Sequence, residues 1–103
     1  MDQDQDAATA AIDELLDRAP DRVVEAGQSV HLHCTDADGE WIVRVSEDGT
    51  ASVMRQHAKG DAAIRGPAHD LLLVLRHERP LETVEVIGDH AVAARFVARM
   101  RVD

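Results

Sequence analysis

The stretch Val30-His31-Leu32-His33-Cys34-Thr35-Asp36-Ala37-Asp38-Gly39-Glu40-Trp41-Ile42-Val43-Arg44-Val45 decides the fold. Val30, Leu32 and Cys34 alternate with His31 and His33, and Trp41, Val43 and Val45 alternate with Ile42 and Arg44. A period of two is that of a strand with one buried face. Thr35-Asp36-Ala37-Asp38-Gly39 is a turn cluster, and Glu47-Asp48-Gly49 is a second one ahead of a short strand through Val53. The region from Gln28 therefore predicts an antiparallel meander of three strands.

Upstream the period is helical. Ala8, Ala11, Ile12, Leu15 and Leu16 fall on one face, with Asp6 as the expected cap and Pro20 as the stop. The six acidic and polar residues before it are expected to fray, leaving one α+β domain over residues 7–103. Downstream, Asp61–Arg65 predicts a fourth strand running into Gly66-Pro67, which suits a helix start. The helix from Pro67 to about His77 carries Ala68, Leu71, Leu72 and Leu75, and Leu73 and Val74 widen its apolar arc. Thr83–Ile87 is a fifth strand. Asp89 caps a last helix from His90 to about Arg101, anchored by Val92, Phe96 and Met100. This order predicts an α+β fold: a mixed or antiparallel sheet of about five strands covered by three helices.

Composition bounds the function. The chain has 103 residues, which fits one domain, and a net charge of −9, which repels nucleic acid and anionic membranes alike. With one Trp, one Phe and no Tyr, it lacks the stacking platforms of single-strand and RNA binders. One cysteine excludes an intramolecular disulfide and a Cys-based zinc site, and a lone thiol suits a reducing cytoplasm. No apolar run approaches a membrane span, and no signal-peptide core follows Met1.

Several of these segments, taken in order, resemble a known family. They are Thr35-Asp36-Ala37-Asp38-Gly39-Glu40-Trp41, then Asp61-Ala62-Ala63-Ile64-Arg65-Gly66-Pro67-Ala68, then Asp70-Leu71-Leu72-Leu73-Val74-Leu75, then Val84-Glu85-Val86-Ile87-Gly88-Asp89. The succession is similar to the C-terminal domain of the mycothiol-dependent maleylpyruvate isomerases of actinobacteria, and the likeness covers nearly the whole chain. The resemblance implies a fold related to sterol-carrier proteins and an accessory role beside an N-terminal metal-binding domain that this sequence lacks. It also implies that a basic residue can be lent to an active site, with Arg65 in the best-matching segment. After Leu75 the sequence departs from the family, which ends there on an aromatic or apolar residue followed by Gly-Arg. Here Arg76-His77-Glu78-Arg79 follows, with Glu78 in the nearest position and Arg79 one further on.

No complete catalytic set is present, and no catalytic residue, metal ligand or cofactor is assigned. His31-x-His33 puts two imidazoles on one strand face, but two ligands are not three or four, and no acidic residue can be placed beside them from spacing alone. The plain alternative is the exposed face of a strand whose other side is core. Cys34 reads as a core thiol rather than a nucleophile, since it alternates with Val30 and Leu32. The ligand-binding candidates are Arg65, Trp41, Arg76, Leu72 and Leu75. Arg65 precedes a helix N-terminus, where a carboxylate is favoured, or it pairs with a nearby acid. Trp41 is a sheet-face anchor or a stacking residue. Leu72 and Leu75 line a pocket, an interface or simply the core. The expected function is a non-catalytic accessory or binding domain for a small apolar or carboxylate ligand, or for a metal-binding partner domain. Two other readings stand beside it: part of a thiol-dependent isomerase or transferase completed in trans, and a homodimeric module joined through the Leu71–Leu75 helix.

Overall fold

The computed structural model describes residues 3–100 of the chain, and the side chains of residues 6–100. Three helices and five strands follow the predicted order: α1 (Gln3–Asp17), β1 (Ser29–Cys34), β2 (Glu40–Val45), β3 (Ala51–Met54), β4 (Ala62–Gly66), α2 (Ala68–Leu75), β5 (Glu85–Gly88) and α3 (His90–Arg99). A single 3-10 turn over Leu81–Thr83, which the sequence pattern did not signal, precedes β5. Helix α1 begins at Gln3, ahead of the expected cap at Asp6. Asp6 instead lies within the first turns, where the helix dipole favours a carboxylate. Of the acidic start over residues 1–6, residues 1 and 2 lie outside the described residues, as does Arg101, the expected end of α3.

The sheet runs β3-β2-β1-β4-β5. Strands β1, β2 and β3 form the antiparallel meander, β4 joins β1 in parallel, and β5 closes the far edge antiparallel to β4. The sheet is therefore mixed. One face carries Val30, Leu32, Cys34, Trp41, Val43, Val45, Ala62 and Ile64, all buried under the helices. Helix α2 contributes Leu71, Leu72, Val74 and Leu75 to the interior, α3 contributes Val92, Ala93 and Phe96, and α1 contributes Ala8, Ile12, Leu15 and Leu16. Helix α2 packs against both α1 and β4, which explains its wide apolar arc. Val23 and Val24, in the connection from α1 to β1, complete the core with no exposure at all.

The step from β3 to β4 shapes the other face. These strands lie three positions apart, roughly 14 Å at the usual spacing. The register places Met54, Ile42, His31 and Ala63 at one level across β3, β2, β1 and β4. Residues 55–61 thus pass almost straight across the outer face of the sheet. Ile42 and His31, on the face expected to be exposed, are consequently 0% and 8% exposed.

Candidate functional site

Four side chains meet under this crossover. His31 and His33 project from β1 on the outer face. Glu40, the first residue of β2, stands opposite His33 in the antiparallel register. His57 arrives from the crossover. His31 Nε2 lies 2.7 Å and His33 Nδ1 3.2 Å from the same oxygen, Glu40 Oε2. His57 Nδ1 contacts that oxygen as well. The rings of His31 and His57 meet edge to face at 5.3 Å between centroids.

Burial disfavours the Glu40 carboxylate, but the contacts with His57, His33 and His31 outweigh it and hold its pKa down to about 2. His31, His33 and Glu40 each present a ligand atom, and these atoms lie within 4.8 Å of one another. The two-histidine pattern visible in the sequence is thus part of a larger set. Glu40 and His57 were the residues missed. The signal for Glu40 was the five-residue turn between β1 and β2, which fixes it against His33; His57 carried no local signal. Beside this cluster a cavity of about 400 Å³ opens between the crossover and the sheet edge, lined by His31, His57, Ala58, Lys59, Ala63 and Ile87, among others.

A second depression lies on the helix side. It has a volume of about 340 Å³ and is lined by Val74 of α2, Pro80, Leu81 and Val97 of α3, with His77, Glu78 and Arg79 at its rim. His77, in a left-handed conformation at φ 63°, donates from Nε2 to the Val97 carbonyl at 2.6 Å and so ties the end of α2 to α3. Leu81 is shared with a smaller hollow of about 110 Å³ walled by Val84 and Val86. Arg79 has no ion-pair partner among the described residues.

The residues singled out from sequence do not converge. Arg65 shares the outer face with His33 and pairs with Glu85 at 3.4 Å. Trp41 is fully buried, donates from Nε1 to Asp13 Oδ1 at 2.6 Å, and carries the Arg55 guanidinium 5.3 Å from its ring centre. Leu72 and Leu75 are core residues of α2. Arg76, its C-cap, is half exposed, with Glu78 3.9 Å away. The turn acid Asp36 has a role that the sequence did not announce: its Oδ1 accepts from Ala68 N–H at 2.9 Å, capping α2 from the β1–β2 turn. Cys34 is buried against α1. Desolvation and the nearby Asp36 charge raise its pKa to about 11, over the opposing effects of Thr9 and Arg55. It is therefore protonated and shielded, which is the state of a core thiol.

The fold has counterparts among solved structures. A UbiJ-SCP2 ubiquinone synthesis protein superposes over 89% of this chain and 87% of its own, with 21% identity and a TM-score of 0.59. Sterol carrier protein 2 of Aedes aegypti, determined in complex with the C16 fatty acid palmitate, matches 98% of this chain and 100% of its own, with 12% identity and a TM-score of 0.58. The fold is that of sterol carrier protein 2. The same unit recurs inside a larger enzyme, the sec-alkylsulfatase Pisa1 from Pseudomonas sp., where 76% of this chain matches 13% of that one, at 13% identity and a TM-score of 0.62. No protein-family model matches the chain, and no curated protein matches its sequence. No helix among the described residues is long and apolar enough to cross a membrane.

Proposed function

We propose that this sterol-carrier-protein-2-like domain is a non-catalytic binding module for a small apolar molecule bearing a carboxylate. The observation that carries the reading is the helix-side depression. Its floor is apolar (Val74, Pro80, Leu81 and Val97), and Arg79 stands at its rim with no ion-pair partner among the described residues. An apolar floor with Arg79 at the mouth suits a fatty-acid-like ligand, since the tail gains burial and the head gains a guanidinium, while Glu78 on the same rim lies 3.9 Å from Arg76. The end-to-end match to a fold that carries palmitate in another protein supports the same ligand class. In this reading Leu72 and Leu75 hold the helix whose Val74 forms the wall, and Arg76 faces Glu78 at 3.9 Å outside the lining. Trp41 and Arg65 act structurally, in the core and on the opposite sheet face.

The resemblance to the maleylpyruvate isomerase C-terminal domain extends the proposal. In such an enzyme this unit is the accessory half, and the chemistry would belong to a metal-binding domain supplied by another chain, in the cytoplasm, where Cys34 stays reduced.

Titration with palmitate, followed by backbone amide NMR, tests the ligand. Shifts concentrated at Val74, Leu81 and Val97 are expected, and Arg79→Ala should weaken palmitate more than the matching fatty alcohol. Equal loss for both ligands, or shifts confined to the sheet face, would rule the groove out.

A further inference from the structure

The outer-face cluster is independent of the apolar groove, and its geometry has a chemical consequence. Three imidazole nitrogens, from His31, His33 and His57, point at one oxygen of one carboxylate. A nitrogen lone pair facing a carboxylate oxygen is repulsive, so each contact needs a proton or a cation between the two atoms. A single carboxylate oxygen offers lone pairs for two donors in its plane, one fewer than the three that converge here. One cation placed among the four groups meets the requirement of all three imidazoles together.

We infer that His31, His33, Glu40 and His57 form a binding site for a first-row divalent metal ion, with zinc as its ordinary occupant. The donor set of three imidazoles and one carboxylate suits zinc, and hard cations such as magnesium or calcium prefer oxygen-rich sites. The site rests on rigid elements. Two ligands alternate on β1, and the third is held opposite His33 by the register of β2. His31 is buried, whereas the His57 side chain is 80% exposed and comes from a connection without regular structure. His31, His33 and Glu40 already present ligand atoms within 4.8 Å of one another, and the exposed His57, which meets the same Glu40 oxygen, closes on them as the fourth ligand; four protein ligands make a closed site, which serves structure rather than catalysis. The ion pins residues 55–61 to the sheet and so sets the mouth of the cavity of about 400 Å³ that His31 and His57 line.

The test is zinc titration of the chelator-stripped chain by isothermal calorimetry, with cobalt(II) absorption as a report on coordination geometry. One equivalent is expected to bind, with a tetrahedral cobalt spectrum and slower amide exchange over residues 56–60. His33→Ala and Glu40→Gln should each weaken binding by more than the roughly 10–100-fold typical of losing a mere supporting partner. His69→Ala, on the surface of α2, should leave it unchanged. His57→Ala guards against misfolding as an explanation, because the side chain is 80% exposed; it should bind zinc more weakly and lose the exchange protection. No stoichiometric binding by the parent chain, or binding unaltered in the cluster variants, overturns the site.

Discussion

Glu40 faces His33 directly across the β1–β2 pair, with Oε2 3.2 Å from Nδ1, and this one pairing gives the two-histidine strand its carboxylate. In chelator the pair is partly solvated, and such pairs contribute little. A double-mutant cycle of Glu40→Gln with His33→Ala, read by urea unfolding, should therefore give a coupling within about 1 kcal/mol. With zinc present the coupling should grow by the linkage between binding and folding. A large coupling in chelator would mean that the pair holds the fold without a metal.

The β2–β3 turn provides a pH test remote from the cluster. Asp48 accepts from the Ser46 hydroxyl and from Thr50 N–H at 3.0 Å, and these bonds lower its pKa to about 2. A carboxyl depressed in the folded state favours folding above its ordinary pKa, and that contribution is lost as pH falls through the folded value. The Thr50 amide should thus titrate with a midpoint near 2 rather than near the ordinary 3.8. Asp48→Asn should abolish that titration in NMR spectra and leave the sheet in place.

Helix α3 depends on its cap. Asp89 Oδ1 accepts from Ala91 N–H at 3.0 Å and Val92 N–H at 3.3 Å. Gly88, at φ 87°, sets up the turn before it, and a Cβ there would lie 2.7 Å from the Asp61 carbonyl. Thermal or urea melts should show Asp89→Ala costing about 1 kcal/mol, and Asp89→Asn far less. Gly88→Ala should cost roughly 1–3 kcal/mol through strain at positive φ.

Cys34 should be inert in the native protein. It is 3% exposed, and its pKa of about 11 leaves almost no thiolate at neutral pH. Alkylation by a soluble thiol reagent should follow global unfolding, with the same denaturant midpoint as far-UV circular dichroism. Rapid labelling of the native chain would mean that α1 opens locally over β1.

Local features were legible from local residues. The alternation of Val30, Leu32 and Cys34 showed which face of β1 is core, because the side-chain period of a strand is two wherever it lies. Pro67 marked the start of α2 and Asp89 that of α3, because caps and φ restrictions act within a few residues. The broad apolar arc Leu71–Leu75 marked a helix with a wide apolar face, set in the core or at an interface. Tertiary structure decided what depends on distant pairing. The parallel union of β1 with β4 brings residues 32 apart in sequence into register, His33 with Arg65 among them, and no local pattern encodes that choice. The crossover over the outer face buried Ile42 and His31, whose alternation alone marked them as exposed, because burial there comes from a segment that belongs to neither strand. His57 joined the cluster by the same crossing. Residue types and periods were therefore set by the chain's own chemistry, and the site was set by register and crossover, which only the packing of the whole sheet determines.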